Sequence, residues 1–348
     1  MLNAVNVEVW IIANGNCSNT NGRLEAESEI VDRTIFGWYY DNKAFIRSFV
    51  EVDKVINHLQ DYDISRLSIQ YHVAFFTQEE LVKITRRCRE CAIDVTITLH
   101  NSKRIRFDVM SALVQSGAQL IVHNVIDKDR IERYGIKNSY YTPIGIDKYR
   151  LIPLRIARES LGVSRDPIIG SFGFLRSHKG VFELIDAIDV LRAKYPGILL
   201  LALNAVYPSE DSHEYFLHCD RRIRELGLEQ YVDLRIGFLP VGTIVKTLQA
   251  CNVIVLPYQD SDEGASATAS MAIAARRPIV ASRSRVFCGI EDLLWPVERV
   301  DGASIAAGID QVLRDQRLRN NLELTVARYA DRNSWSAVAE FYSDVIFG

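Results

Sequence analysis

Val253-Ile-Val-Leu-Pro257, running through Glu263-Gly-Ala-Ser-Ala-Thr-Ala-Ser-Met271 to Pro278-Ile-Val-Ala281, reads as strand, loop, helix and strand. The first run is short, apolar and β-branched, the pattern of a strand covered on both faces. Pro257 ends it, and Tyr258 to Gly264 reads as a polar, flexible loop. Ala265 to Arg276 is a helix of small residues. Side chains that small let another group come close, so the helix N-terminus can present bare backbone N–H groups to an anion. Glu263 stands just before it, at the C-terminal end of a strand, where open α/β sheets bind ligands. A phosphate on the helix end beside a carboxylate suits a sugar joined to a diphosphate. The same residues also suit a closely packed Ala-rich helix and a solvated Glu, so the rest of the chain must decide.

On both sides of this passage strands alternate with helices. Val7 to Ala13 is strand-like and leads into the turn-rich loop Asn14 to Gly22. Leu24 to Tyr40 is ambiguous, and Ala44 to Leu59 has helical spacing. Leu67 to Tyr71, Ile93 to Leu99 and Ala118 to Val122 are strands. His72, His100 and His123 stand at their C-terminal ends, three equivalent positions that suggest a site lined by them. Their spacing is not that of a metal motif, and no metal is expected. Thr77-Gln-Glu-Glu80 is a capping box opening a helix that runs through Cys91. Later strands are Pro167 to Phe172, Gly197 to Ala202 and Tyr231 to Ile236, with helices at Val181 to Leu191, Ser212 to Leu226 and Val241 to Ala250. Three helical patterns, Ala303 to Leu313, Leu318 to Tyr329 and Trp335 to Ile346, close the chain. The alternation implies parallel sheets with right-handed crossovers.

At 348 residues the chain has the length of about two domains. A net charge of −3 gives no support for nucleic-acid binding. No apolar run reaches the ~18 residues of a membrane span, and the first residues lack the basic start of a signal peptide. The six cysteines are scattered; Cys88-Arg-Glu-Cys91 lies in a helical stretch without a redox context. A reducing, cytoplasmic location is expected.

Lys179 follows a strand and a turn and opens a helix, where a Lys can lie against a phosphate. Arg176 is near enough to assist. Glu263 and Ser266 hold the matching strand-end position later in the same half, so a cation and a helix dipole would aim at one crevice.

These runs resemble the nucleotide-sugar domain of the retaining GT-B glycosyltransferases of the large family four, the group 1 glycosyl transferases. The resemblance rests on Gly173-Phe-Leu-Arg-Ser-His-Lys-Gly180, on Leu256-Pro-Tyr258, and on Glu263-Gly264 through Ala272-Ile-Ala274 to Pro278-Ile279. In the first half it rests on Thr98-Leu-His100, Val122-His-Asn124 and Pro143-Ile-Gly-Ile-Asp147. It covers roughly residues 65 to 348 and implies two Rossmann-like α/β domains facing a cleft. Residues 1–150 would form the acceptor domain and 151–330 the nucleotide-sugar domain; 331–348 would be a helix crossing back to the first. Carried over, Glu263 would bind donor-sugar hydroxyls, and His100 would sit near the reaction centre. Lys179 and Arg176 would offset charge on the leaving diphosphate. Gly173, Gly264 and the backbone at Ala265, Ser266 and Ala267 would line the donor phosphates, and Gly15 would approach acceptor or donor. Two departures stand out. Met271 replaces the second Glu of the signature, which grips the ribose in the family. Phe174 replaces an Arg usual five residues before the Lys.

The resemblance implies a retaining, metal-independent transfer from a UDP- or GDP-linked sugar, needing no cofactor, to a glycan or lipid-linked saccharide in bacterial polysaccharide or glycolipid synthesis. The basic runs Lys83, Arg86, Arg87, Arg89 and Lys103-Arg-Ile-Arg106 suggest peripheral contact with the inner membrane surface. They equally suit a solvated helix face. The departures also suit a non-catalytic GT-B subunit that binds a partner or glycan; a sugar-nucleotide epimerase is a third reading.

Overall fold

The computed structural model describes residues 10–14, 33–40, 48–73, 76–261 and 263–347, with side chains from residue 51 onward. The chain forms two compact units. One comprises residues 1–143, 262–265 and 335–348, the other residues 144–261 and 266–334.

In the first unit, β1 (Trp10–Asn14) pairs in parallel with β2 (Arg33–Tyr40), which pairs antiparallel with β3 (Ser48–Val50). The helix expected over Ala44 to Leu59 therefore needs correction, since it begins only at Val52. Ser48-Phe-Val50 suits a strand, and the backbone ladder to Trp38–Tyr40 overrides the helical spacing. β4 (Arg66–Tyr71), β5 (Asp94–Leu99), β6 (Gln119–Val122) and β7 (Ser139–Tyr141) form a parallel sheet in that order. The helix between β4 and β5, Gln78–Glu90, opens on the expected capping box. Thr77 Oγ1 accepts the Glu80 N–H at 3.2 Å, and Glu80 Oε2 accepts the Thr77 N–H at 2.8 Å. Leu81 and Ile84 of that helix pack with Ile97, Leu99 and Leu120 of the sheet. The last helix, Trp335–Phe347, belongs to this unit too. Its Val338 and Val345 bury against Ile121, and the Tyr342 hydroxyl lies 3.0 Å from Thr98 Oγ1.

The second unit is built on six parallel strands: β8 (Ile168–Phe174), β9 (Leu199–Ala205), β10 (Val232–Ile236), β11 (Val253–Leu256), β12 (Ile279–Ser282) and β13 (Leu294–Val297). Their spatial order is β10-β9-β8-β11-β12-β13. That is the order of a doubly wound sheet, with its reversal between β8 and β11. β11 shows why its run is wholly apolar. Val253 and Val255 pack on one side with Leu184, Ile188 and Ile305, while Ile254 and Leu256 pack on the other with Ala269 and Ile273. Each such side chain contributes about 1.5–3 kcal/mol by burial. β13 was not expected from the sequence. It carries Pro296, and it sits at the sheet edge, where a missing N–H is tolerated.

The small-residue helix runs from Ala267 to Ala274, shorter than the expected Ala265 to Arg276. Ser266 is extended (φ −110°, ψ 110°) and caps it, and Arg276 is left-handed (φ 55°) just before Arg277-Pro278. A residue preceding the proline is itself disfavoured in helical geometry, so the chain turns out of the helix there. Among the described residues no helix is long and apolar enough to cross a membrane.

Candidate functional site

The reversal point of the six-stranded sheet is where ligands meet such folds, and the side chains gathered there come from β8, β11 and the Ala267–Ala274 helix. β8 ends at Gly173-Phe174. Gly173 has φ +132°, and a Cβ on it would lie 3.3 Å from Thr268 Oγ1 and 3.8 Å from the Tyr258 hydroxyl. The chain then makes a single turn of 3₁₀ helix, Ser177–Lys179, closed by left-handed Gly180 (φ 68°). A Cβ at Gly180 would fall 2.1 Å from the Pro257 carbonyl oxygen. Glycine is what lets the Lys179-Gly180 turn lie against the end of β11. The Gln259 N–H donates to the His178 carbonyl at 2.8 Å and ties the two segments.

Lys179 is only 9% exposed, and its Nζ stands 4.1 Å from the centroid of the Tyr258 ring. The ring face attracts the ammonium and fixes it. Tyr258, expected in a polar, flexible loop, is instead buried, at 3% exposure. Its carbonyl accepts the Ser282 hydroxyl. Beside this pair starts the Ala267–Ala274 helix. Its end is not wholly bare: Ser266 Oγ accepts the Ala269 N–H at 3.1 Å. The Ala267 and Thr268 N–H groups remain as end-of-helix donors without an intrahelical acceptor. One place in this unit thus holds a buried cation, two N–H groups at a helix start and the small Gly173. Such a place can hold a phosphate.

The Arg176 guanidinium lies over the Tyr207 ring, 4.2 Å from the centroid. Phe174 meets Tyr207 edge-on, at 5.2 Å between centroids, and Phe238 at 6.0 Å. The sequence reading passed over Tyr207 and Phe238; their position two residues beyond β9 and β10 was the available signal.

The other expected residues fall in the first unit. His100 follows β5; its Nε2 is 3.1 Å from Gln70 Oε1, and its ring centroid is 5.1 Å from that of His123. Burial, then His123 and His72, hold the His100 imidazole down to about 4, so it is neutral at ordinary pH. His123 donates from Nδ1 to the Thr142 carbonyl at 2.8 Å, and burial lowers its pKa. Burial and Arg104 lower His72, against the opposing pull of Glu263. Glu263 therefore lies within electrostatic reach of this histidine group. Gly264 donates its N–H to the His100 carbonyl at 3.2 Å, so that N–H is already taken. Ala265 goes with this unit, and Ser266 and Ala267 with the other. Gly15 lies outside the described residues. Among the described residues no group of three or more His, Cys, Asp or Glu side chains is placed to hold a metal.

The basic runs are largely engaged. Arg87 pairs with Glu90 at 2.6 Å, Arg106 with Glu79 at 2.8 Å, and Arg89 donates to the Gln115 carbonyl.

Two doubly wound or related parallel sheets, with a phosphate-type site at a sheet reversal, define an α/β protein of the GT-B architecture. Residues 155–326 match the family described as glycosyl transferases group 1. That match and the architecture together support a group 1 glycosyltransferase. It is similar in structure to a glycosyltransferase from Rickettsia africae ESF-5, with TM-score 0.75 and 14% identity over 100% of this chain and 92% of that one. It is similar to Anabaena Alr3699/HepE in complex with UDP, with TM-score 0.67 and 17% identity over 84% and 80%. A third is sucrose-phosphate synthase (tll1590) from Thermosynechococcus elongatus, with TM-score 0.65 and 18% identity over 84% and 76%. At these identities the likeness concerns the fold. No curated protein matches the chain.

Proposed function

We propose that the chain moves a sugar from a nucleotide-diphosphate sugar, UDP- or GDP-linked, to a glycan or lipid-linked saccharide, with retention of anomeric configuration and without a metal. The observation that carries this reading is Lys179, buried over Tyr258 beside the N-terminus of the Ala267–Ala274 helix. Breaking a glycosyl–phosphate bond leaves negative charge on the departing diphosphate. A fixed ammonium and fixed N–H dipoles stabilise that charge more as it develops than in the ground state. They supply the positive charge that a metal would otherwise bring. The leaving phosphate oxygen takes the proton of the attacking acceptor hydroxyl on the same face, which gives retention. His100, neutral and hydrogen-bonded, and Glu263 would bind hydroxyls of the transferred sugar. Complexes of Anabaena HepE with UDP and with UDP-glucose support a UDP-linked donor.

The purified chain should release UDP or GDP slowly from a UDP- or GDP-hexose in the absence of acceptor, and Lys179→Ala should lose that release. Binding of these donors with no release, even with lipid-linked saccharides added, would favour a non-catalytic subunit, for which Met271 and Phe174 speak. The synthesis of a bacterial polysaccharide or glycolipid at the cytoplasmic face of the membrane completes the reading. Salt-sensitive binding to anionic vesicles tests that part, and the pairing of Arg87 and Arg106 weakens its support.

A further inference from the structure

In the first unit a line of hydrogen bonds runs from the last helix to His100. Gln70 of β4 and Thr98 of β5 are register partners, and Thr98 is in turn the partner of Ile121 in β6. Ile121 packs with Val338 and Val345 of the Trp335–Phe347 helix, so that helix covers this face of the sheet. His100 stands two residues beyond Thr98, and its N–H continues the ladder to the Tyr71 carbonyl at 3.0 Å. The period of two in a strand returns its side chain to the face of Thr98. Gln70 Nε2 donates to Thr98 Oγ1 at 3.1 Å, and Gln70 Oε1 lies 3.1 Å from His100 Nε2. Thr98 Oγ1 lies 3.0 Å from the Tyr342 hydroxyl, and both of these residues are buried.

A neutral imidazole has one N–H and one bare nitrogen, and the partner of one settles the other. Burial keeps His100 in that neutral form at ordinary pH. For the neighbouring His123 the choice is made directly, because its Nδ1 faces the Thr142 carbonyl, which only accepts. His100 faces an amide instead, and an amide has a donor end and an acceptor end. The end that it shows to His100 depends on Thr98, whose hydroxyl can also give or accept. The direction is therefore decided where the line ends, at Tyr342.

We propose that Tyr342, Thr98 and Gln70 are positioning residues that hold His100 as its Nε2–H tautomer, leaving Nδ1 to accept a hydrogen bond from a hydroxyl of the transferred sugar. Thr98 gives its hydrogen to the Tyr342 oxygen and accepts from Gln70 Nε2. Gln70 Oε1 then accepts from His100 Nε2. A residue 244 positions away from Thr98 in sequence thus sets which nitrogen of His100 is bare. The role of Nδ1 at the sugar rests on the nucleotide-sugar reading above, whereas the line of hydrogen bonds stands without it.

The test reads the tautomer by heteronuclear NMR of the imidazole nitrogens in the full chain labelled at histidine, with His100→Gln identifying the His100 signals. Wild type should carry hydrogen on Nε2 and none on Nδ1. Tyr342→Phe removes the final acceptor, so Thr98 turns its hydrogen to Gln70, the amide reverses, and His100 shifts toward the Nδ1–H tautomer. Thr98→Val should give a mixture, and Thr98→Ser should keep the wild-type signals. Gln70 is exposed, so Gln70→Leu keeps the fold, and it should also give a mixture. Wherever the tautomer shifts, kcat for release of UDP from UDP-glucose or of GDP from GDP-mannose should fall roughly 5-fold, the worth of one hydrogen bond, with binding of free UDP and GDP unchanged. Nδ1–H in the wild type, or wild-type signals persisting in Tyr342→Phe, Thr98→Val and Gln70→Leu alike, would overturn the relay. A shifted tautomer with unchanged kcat would overturn the role of Nδ1 at the sugar. Wild-type chain that releases neither nucleotide would count against the nucleotide-sugar reading, while the tautomer, read without a donor, still decides the relay.

Discussion

Replacing Lys179 removes the ammonium that the Tyr258 ring holds by a cation–π contact. At 9% exposure the ammonium is largely out of bulk water, so its field at a neighbouring diphosphate is weakly screened. A preorganised donor aimed at developing oxygen charge contributes on the order of 3 kcal/mol to the transition state. At about 1.4 kcal/mol per decade, Lys179→Ala should lower kcat by roughly 100-fold. Lys179→Met keeps most of the volume and should lose the same factor, which separates charge from packing. Tyr258→Leu leaves the charge but removes its seat; with cation–π attraction of about 1–2 kcal/mol at a desolvated site, a fall of about 10-fold is expected. The assay is the initial rate of UDP or GDP release from a saturating sugar nucleotide, with circular dichroism to confirm folding. A folded Lys179→Met variant with unchanged kcat and kcat/KM would refute the reasoning.

Gly180→Ala would force a left-handed alanine whose Cβ meets the Pro257 carbonyl at 2.1 Å, and should cost about 2–4 kcal/mol in thermal unfolding; an unchanged Tm would contradict that contact. Ser266→Ala removes the acceptor of the Ala269 N–H and should cost about 1 kcal/mol, read as a drop of about 2–4 °C in Tm. His100 is neutral in the folded chain down to about pH 4, below the ordinary imidazole value, so the unfolded chain binds the extra proton in between. Its contribution to stability is therefore full above about pH 6.5 and declines as pH falls toward 4, by up to about 1.4 kcal/mol per pH unit. Urea unfolding of His100→Gln across that range should show a shallower slope than wild type, and identical slopes would remove His100 as the cause.

Much of the architecture was legible because parallel strands covered on both faces leave unmistakable apolar runs. Val253–Leu256 and Leu199–Ala205 are of this kind, and the capping box at Thr77 marked a helix start by its own chemistry. What escaped depends on distant partners. β3 is three residues long and exists through its ladder to β2, so its local spacing reads as helix. β13 contains a proline that argues against a strand everywhere except at an edge. At the site, Lys179 was visible from its place after a strand, whereas Tyr258 looked like loop because nothing local reports that it lies buried under Lys179. The aromatic row at Phe174, Tyr207 and Phe238 is spread over 65 residues of sequence and becomes a row only when β8, β9 and β10 align. Arg176, expected to assist from its nearness in sequence, lies with its guanidinium over the Tyr207 ring, a partner that nothing local reports.

Crystals of the chain soaked with UDP test the central claim most directly. The diphosphate should lie at the N–H groups of Ala267 and Thr268 with an oxygen in hydrogen-bonding reach of Lys179 Nζ, at about 2.7–3.2 Å. UDP bound elsewhere, with that helix end empty and the ammonium out of reach of every phosphate oxygen, would contradict it.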